Sequence, residues 1–224
     1  LVFLATVVAI NGIFGAMTLG LFNWIEATEW GLINMIEFPL WAELLLTIMA
    51  FDFISQYLAH LTVHRVKIFW RIHLVHHSDT HVDATTGTRL HPLDFTTRES
   101  FAVLAVFIMG APLAFYMLYR VLTIAFTYFN HSNLRLPLKV DKALSLLFIS
   151  PNTHKFHHHF EEPWTDRNFG NLFSIWDRLF GTFEYGDVDA IVYGLDVVDD
   201  SRADDLAYQM MLPIRNNGRT KINH

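Results

Sequence analysis

Histidine is the residue type in this sequence whose spacing most clearly points to chemistry. Eight histidines form three groups with helical spacing. They are His60 and His64; His73, His76 and His77; and His154, His157 and His158. Side chains at positions i, i+3 and i+4 share one face of a helix, and imidazole is the commonest metal ligand in proteins. The three groups therefore predict a metal site that is built on helices.

The number of nitrogen ligands exceeds what one ion accepts. A further histidine, His131, follows the third apolar stretch of the chain. Because four ligands complete a structural zinc site, the surplus predicts two ions with four or five nitrogens each. The sequence has no cysteine, which excludes disulfides, thiolate zinc sites and iron–sulfur clusters held by thiolates. It has no His-Glu-x-x-His motif either, which disfavours a zinc protease.

The composition indicates a membrane protein. Hydrophobic residues make up 52% of the 224 residues, with 20 phenylalanines, which is more than a soluble domain usually contains. The length fits one domain, residues 1–224. A net charge of -6 without a dense basic run argues against nucleic acid as a partner. Because the chain opens on leucine, we expect that an N-terminal piece is missing, and we do not interpret residues 1–20 as a signal peptide.

Two apolar stretches predict the first membrane helices. Residues 1–22 are long enough, at about 1.5 Å per residue, to cross a hydrocarbon core of about 30 Å. A second span runs from about residue 32 or 38 to residue 57. The loop at residues 23–31 has no lysine or arginine, whereas residues 63–98 contain five. By the positive-inside rule, the segment that carries the first histidines is cytoplasmic.

The third apolar stretch, residues 101–129, predicts a helical hairpin. A single crossing would put the second and third histidine groups on opposite sides of the bilayer, too far apart to share a metal with bonds near 2 Å. Gly110-Ala111-Pro112 lies near the middle, and proline interrupts a helix. We therefore expect the chain to turn here and return to the same face, partly re-entrant or shielded by protein.

The predicted fold is all-α: an integral membrane helical bundle of about four membrane helices, the last two a hairpin, with a histidine-rich cytoplasmic cap. Residues 1–58 would contain the first two membrane helices, and residues 59–98 the first two histidine groups. Residues 99–130 would form the hairpin. Residues 131–224 would form the cap with the third histidine group, including an amphipathic segment at residues 136–150 that could lie on the membrane surface.

Five further side chains could hold the ligand imidazoles in place. They are Asp52, His91, His159, Asn168 and Asp177. Asp52 could orient a histidine or be a solvated residue at a helix end. Asn168 and Asp177 could bond to a ligand N–H or pack a core, with Asp177 capping a helix or pairing with a cation. His91 could maintain local structure or contact substrate, and His159 could support a ligand or lie at the surface.

The three groups resemble the histidine boxes of the fatty acid hydroxylase superfamily, which includes the sterol desaturases. The neighbouring segments add to the resemblance. They are Trp70, Ser78, the Thr-Arg-Leu-His-Pro run at residues 88–92, and His131-Ser132-Asn133. Its most specific part is the run from Pro151 through the third box to Asn-Phe-Gly at residues 168–170 and Trp-Asp-Arg-Leu-Phe-Gly-Thr at residues 176–182. The match covers roughly residues 52–182.

The resemblance implies a four-helix membrane scaffold with a cytoplasmic cap and a non-haem di-iron centre. It also implies O₂ as oxidant and electrons from a separate reductase of the ferredoxin or cytochrome type. By position, it implies nine metal ligands. They are His60, His64, His73, His76, His77, His131, His154, His157 and His158. Zinc can replace iron at nitrogen sites on overexpression.

The leading functional prediction is a membrane-bound, O₂-dependent di-iron monooxygenase that hydroxylates a C–H bond of a lipid, with its histidine site on the cytoplasmic face. Sterol, fatty acyl, sphingoid and carotenoid chains all fit this prediction. Lipid desaturation is the alternative within the same chemistry, and the spacing does not separate the two. The alternative from another class is a non-catalytic membrane metal-binding or metal-transport protein. A transporter should carry ligands within its spans, whereas these histidines gather at helix ends.

Overall fold

A computed structural model describes residues 2–160, 164–195, 197–203 and 205–215. Within these ranges the chain is helical, with no strand beyond an isolated bridge between Phe148 and Phe173, which confirms the all-α class. The helices are α1 (Val2–Thr28), α2 (Leu40–Asp52), α3 (Ala59–Arg65), α4 (Lys67–His77), α5 (Pro92–Met109), α6 (Leu113–His131), α7 (Leu138–Leu144), α8 (Pro151–His157), α9 (Ile175–Leu179) and α10 (Leu206–Arg215). Short 3₁₀ turns lie at Leu32–Met35, Ala84–Thr88, Val188–Ala190 and Asp200–Arg202.

Two helical stretches of the described chain are long and apolar enough to cross a membrane, Thr6–Met35 and Leu40–Arg65. Both helical stretches extend further along the chain than the spans that hydropathy predicts. The first helix continues to Thr28, so most of the predicted loop at residues 23–31 is helical. The second continues because a π-helical segment, Phe53–Leu58, joins α2 to α3. Segments of this kind are frequent at functional sites, and this one ends just before the first histidine pair.

The turn predicted between the arms of the hairpin is present. Gly110 ends α5 in a left-handed conformation, with φ +63, which glycine adopts without steric cost. Pro112 then precedes the first residue of α6. The connection between α1 and α2 holds this turn in place: Trp30 Nε1 donates to the Phe107 carbonyl at 2.8 Å, and Asn34 Nδ2 donates to the Gly110 carbonyl at 3.0 Å. These two hydrogen bonds fix the hairpin turn against the connection between α1 and α2.

The two arms of the hairpin flank the second helix. Both α5 and α6 pack against α2, and their apolar residues near the turn form a core with Phe22 and Phe51. Towards the histidine end, the arms carry Arg98, Glu99 and Arg120. Neither arm is among the helices that hydropathy and length identify as able to cross a membrane in the described chain. The count of four membrane helices therefore stays a prediction.

The remaining helices and loops form a cap over the histidine end of the bundle. Its anchor to the second helix is Asp52, which is fully buried. The Asp52 carboxylate accepts hydrogen bonds from the Leu172 and Phe173 backbone N–H groups at 3.1 and 3.2 Å, and from Trp176 Nε1 at 2.9 Å. Helix α10 packs against α4. Residues 161–163, 196, 204 and 216–224 of the predicted cap lie outside the described residues.

Candidate metal centre

All nine histidines of the predicted ligand set lie in two adjacent clusters, and all nine are buried. The five-histidine group consists of His60, His64, His73, His77 and His157. The four-histidine group consists of His76, His131, His154 and His158. In each group, one nitrogen from every ring lies within 4.8 Å of the corresponding nitrogen of the others. The rings of His77 and His158, one from each group, have centroids 4.7 Å apart, so the two groups adjoin.

Helices α4 and α8 each contribute to both groups. On α4, His73 and His77 join the five-histidine group, whereas His76 faces the four-histidine group. The third box repeats this division, because His157 joins the first group while His154 and His158 join the second. Ser150 starts α8 with a capping box in which its side chain accepts from the Thr153 N–H. This cap fixes where the helix begins and hence which way its histidines point.

The five-histidine group has the donor pattern of a metal site. Four of its rings use Nδ1 to bond outward to protein oxygens: His60 to the Phe169 carbonyl at 2.9 Å, His64 to Asp166 at 3.1 Å, His73 to Asp94 at 2.6 Å and His157 to the Arg167 carbonyl at 2.8 Å. In His60, His73 and His157, the buried Nε2 has no hydrogen-bond partner among the described residues. Buried polar atoms are normally paired, so these inward nitrogens fit an ion.

The four-histidine group converges on His131. Its Nε2 lies 3.3 Å from His76 Nε2 and 3.0 Å from His154 Nε2, while its Nδ1 bonds to the Thr127 carbonyl at 2.7 Å. Two nitrogens on opposite sides of an ion, with bonds of about 2.1 Å, would be about 4.2 Å apart. Two nitrogens that bind one ion lie no further apart than this, so both spacings to His131 Nε2 are compatible with one ion in the four-histidine group.

Burial keeps these imidazoles in the form that binds metals. Burial and the neighbouring His73 hold the pKa of His76 well below its ordinary value, and burial together with His76 does the same to the pKa of His158. Both rings are therefore neutral near pH 7 and present a lone pair. Neutral imidazole is the state that ligates a metal.

The group that most strongly orients a ligand is Asp94, in the first turn of α5. Its fully buried carboxylate accepts from His73 Nδ1 at 2.6 Å and from Arg98 Nε at 3.1 Å. Burial alone would raise the pKa of this carboxyl, but His73 and Arg98 outweigh it and hold the pKa below its usual range. An ionised carboxylate behind a ligand imidazole fixes its tautomer and increases its basicity.

Three side chains of the predicted supporting set bond to loops around the ligands. Asp52 bonds to the cap residues 172, 173 and 176 and not to a histidine. Asn168 donates to the Thr153 and Glu184 carbonyls at 2.7 and 2.9 Å. Asp177 accepts from the Phe169 and Gly170 N–H groups at 2.8 and 2.9 Å. These residues hold the loops that carry the orienting carbonyls. No sequence pattern distinguishes a side chain that holds a loop from one that contacts a ligand, so the sequence left both roles open.

The two remaining histidines of the predicted supporting set also have local roles. His91 caps α5, with its Nδ1 accepting from the Leu93 N–H at 3.2 Å, which fits the expectation that it maintains local structure. His159 is buried, and its Nδ1 accepts from the Val192 N–H at 2.9 Å. This bond connects the end of the third box to the segment that follows the 3₁₀ turn Val188–Ala190. Neither bond reaches a ring of the two groups.

Several orienting groups could not be predicted from the sequence. One feature of the sequence distinguishes Asp94, because it is the single acidic residue between Asp83 and Glu99. Its spacing does not link it to His73, which is 21 residues away. The other orienting groups include backbone carbonyls of residues 127, 167 and 169. A carbonyl carries no side-chain signature, so only the fold reveals it.

The Asp94→Asn variant should bind iron less tightly at the five-histidine group. The amide keeps the shape of the side chain but loses the charge that supports His73, and loss of such outer partners typically costs about 10–100-fold in metal affinity. Titrating iron-loaded protein with a chelator would measure the change. Asp189→Asn, at an exposed position, is the matched control. Equal iron retention in Asp94→Asn and wild type would contradict this role.

A cavity of about 130 Å³ lies between α5 and α6, directly beside the four-histidine group. The rings of His76, His131 and His154 line it, as does His60 of the other group. The rest of the lining comes mainly from the two hairpin arms. A substrate atom placed in this cavity would therefore lie next to the histidines.

A family model described as "fatty acid hydroxylase" matches residues 44–182. The chain belongs to the fatty acid hydroxylase family. The match extends from the second helix through all three histidine boxes to the loop after α9, which is the part of the chain that builds both histidine groups. No solved structure matches the chain.

The names of several curated relatives of this family member describe enzymes that oxidise lipids. An alkylglycerol monooxygenase of Caenorhabditis elegans is 28% identical over 60% of this chain and 26% of the relative. An ornithine lipid hydroxylase, OlsE, of Rhizobium tropici is 26% identical over 66% of this chain and 43% of the relative. The alkylglycerol monooxygenase of Homo sapiens is 30% identical over 63% of this chain and 30% of the relative. The match spans less than half the length of each of these relatives.

Proposed function

We propose that this protein is a membrane-bound, O₂-dependent di-iron monooxygenase that hydroxylates a C–H bond of a lipid. The observation that carries this proposal is the pair of buried histidine groups, in which the inward Nε2 atoms of His60, His73 and His157 have no hydrogen-bond partner among the described residues. Membership of the fatty acid hydroxylase family and relatives named as lipid hydroxylases support the reaction class.

In this proposal, the nine histidines hold two iron ions, one in each group. When bound, iron supplies the capacity to activate O₂ for attack on an unactivated C–H bond. The chain's own residues position the reaction: Asp94 and the orienting carbonyls fix the rings, and the cap excludes water from the buried nitrogens. The cavity beside the four-histidine group holds the carbon to be oxidised. Preorganised groups of this kind reduce the cost of reaching the transition state.

Hydroxylation by O₂ requires a partner that supplies electrons. One oxygen atom enters the C–H bond and the other leaves as water, which consumes two electrons and two protons. We propose that a separate reductase of the ferredoxin or cytochrome type supplies these electrons. The two apolar helical stretches suit a membrane location, and the positive-inside rule puts the histidine end on the cytoplasmic face, where such a reductase could dock.

Two alternatives differ in observable product. A desaturase on the same scaffold would remove a second hydrogen and release no oxygenated lipid. A metal transporter would need an exchangeable site, whereas these rings are buried and several are held from behind by protein oxygens. The buried, braced arrangement favours catalysis over transport.

The proposal can be tested by expressing the protein with a reductase under ¹⁸O₂ and comparing membrane lipids between wild type and His76→Ala. We expect an ¹⁸O-hydroxylated lipid in the wild type only. A new double bond without ¹⁸O would indicate desaturation instead. Iron uptake into proteoliposomes without a lipid product would indicate transport and overturn the proposal.

A further inference from the structure

The run Trp-Asp-Arg-Leu-Phe-Gly-Thr at residues 176–182 is only partly explained by the metal centre. Trp176 and Asp177 bond to the loops around the ligands. Leu179 and Phe180, by contrast, are 68% and 52% exposed. A large apolar side chain that stays in contact with water gains none of the free energy that burial provides. These two residues therefore need an explanation outside the histidine site.

Leu179 and Phe180 belong to a larger exposed surface, which we call the apolar ridge. Two hydrogen bonds join the end of α7 to α9: the Ser174 N–H donates to the Leu147 carbonyl at 3.0 Å, and Arg178 Nη2 donates to the Ser145 carbonyl at 2.8 Å. Exposed apolar surfaces of this kind mark sites that contact a protein or a membrane. The members of the apolar ridge are Leu146, Leu147, Ile175, Leu179 and Phe180.

The apolar ridge continues the apolar surface of the helical bundle. The Phe180 ring stacks on the rings of Phe53 and Tyr57, at centroid distances of 5.7 and 5.4 Å, and both belong to the π-helical segment of the second apolar stretch. On the other side, the Phe148 ring lies 5.7 Å from the Phe126 ring of α6. Helix α6 itself exposes an apolar stripe with helical spacing, which consists of Val121, Ile124 and Tyr128.

The segment that leads into the apolar ridge is positively charged. Residues 133–147 expose Arg135, Lys139 and Lys142, whereas their single carboxylate, Asp141, is buried. Arg135 is paired with Asp189 at 4.0 Å. Lys139 and Lys142 have no carboxylate partner among the described residues. The protein as a whole carries a net charge of -6, so this basic surface is a local feature that suits an anionic partner.

A membrane surface fits this combination better than a protein does. Leucine and phenylalanine side chains enter the boundary between head groups and acyl chains, while lysine extends its ammonium group to the phosphates. Protein interfaces, by contrast, are depleted in lysine. The contacts of the apolar ridge with Phe53 and Phe126 also place it directly beside helices whose outer surface is apolar. The bilayer that surrounds these helices is therefore the partner nearest to hand.

We propose that the apolar ridge is immersed in the bilayer surface at the histidine end of the bundle, and that Lys139 and Lys142 bind the phosphates of anionic phospholipids there. This extends the sequence expectation for residues 136–150, because it adds α9 and specifies the charge of the lipid. It depends on the membrane location of the bundle and not on the reaction of the metal centre. The contact fixes the cap against the membrane.

Immersion can be tested because the chain contains no cysteine, so a single introduced cysteine can be labelled selectively. Leu146→Cys and Leu179→Cys would carry a bimane fluorophore in the full chain, in nanodiscs. Phospholipids with brominated acyl chains should quench both labels, and iodide in water should not. Ser201→Cys, in an exposed 3₁₀ turn, is the control and should show the reverse. Iodide quenching of the ridge labels, or protection from both quenchers by a protein contact, would overturn the proposal.

The charge of the lipid is tested with the labelled Leu146→Cys protein. Brominated phosphatidylglycerol should quench the label more strongly than an equal fraction of brominated phosphatidylcholine. Adding Lys139→Gln or Lys142→Gln should lower this preference about fivefold each, which is the contribution of one lysine at an anionic surface. Lys67→Gln, which removes an exposed lysine from α4, is the matched control and should leave the preference unchanged.

Thermal unfolding of the two lysine variants would show that their fold is intact, since glutamine at an exposed helix position removes the charge and little else. Equal quenching by the two brominated lipids in the protein with both lysines would overturn the binding of anionic lipid. An unchanged preference in both lysine variants would overturn the assignment to Lys139 and Lys142.

Discussion

The His157→Ala variant should hold the iron ion of the five-histidine group more weakly than the wild type does, and should retain fewer ions per chain after treatment with a chelator. His157 belongs to the five-histidine group only, and its inward Nε2 has no other partner among the described residues. Its loss therefore removes a ligand from one ion and leaves the other four-ligand set complete. Hydroxylation should also fall, because the proposed reaction uses both ions. Metal analysis of protein from iron-supplied cells and product formation would measure the two effects.

The companion variant tests the second group. His154→Ala removes a ligand from the four-histidine group only, so it should hold the ion of that group more weakly, while the ion in the five-histidine group is retained. His81→Ala is the control, because His81 is exposed and belongs to neither group. Fewer than two ions in the wild type, or unchanged iron in both variants, would contradict the two-ion arrangement.

The Asp177→Ala variant should show the largest loss of stability. Asp177 is fully buried and accepts from the Phe169 N–H at 2.8 Å, from the Gly170 N–H at 2.9 Å and from Thr182 Oγ1 at 2.7 Å. Each buried donor left without an acceptor costs about 1–3 kcal/mol. The free energy of unfolding should therefore fall by about 3–5 kcal/mol, which thermal or denaturant unfolding in detergent would detect.

The same change should reach the metal centre through one residue. Phe169 donates its N–H to Asp177, and its carbonyl accepts from His60 Nδ1 at 2.9 Å, so a loosened loop also releases a ligand ring. Asp177→Asn should have an intermediate effect, because the amide oxygen can still accept. Asp199→Ala, which removes an exposed cap of a 3₁₀ turn, is the control. A loss below about 1 kcal/mol in Asp177→Ala would contradict the bracing role.

The histidine set could be predicted because its signal is local. Spacings of three and four residues translate directly into one helix face, and His73, His76 and His77 do lie on one helix, α4. The hairpin could be inferred from a geometric requirement, since two groups cannot meet from opposite sides of a bilayer. Both inferences use properties that a short stretch of sequence carries by itself.

The groups that hold the histidines could not be predicted, because their signal is not local. His60 and the Phe169 carbonyl are 109 residues apart in the chain, and a backbone acceptor is the same for every residue type. Asp52 continues the polar stripe of His60 and His64, and Asp177 lies in a run of aromatic residues, so each could support a ligand imidazole or have a purely structural role. That reasoning does not reveal the partner, which turns out to be a backbone N–H in both cases.

The π-helical segment Phe53–Leu58 makes the direction in which His60 and His64 point independent of how the apolar face of α2 packs. Each residue of an α-helix rotates the next by about 100°, so the direction of His60 and His64 would otherwise follow from the apolar face of α2. The wider π-helical turn between α2 and α3 changes this rotation. The apolar face of α2 can therefore pack against its neighbours while His60 and His64 point towards the other ligands. Removing one residue here would leave both halves helical and apolar yet turn the pair by about a quarter of a revolution, away from the other ligands.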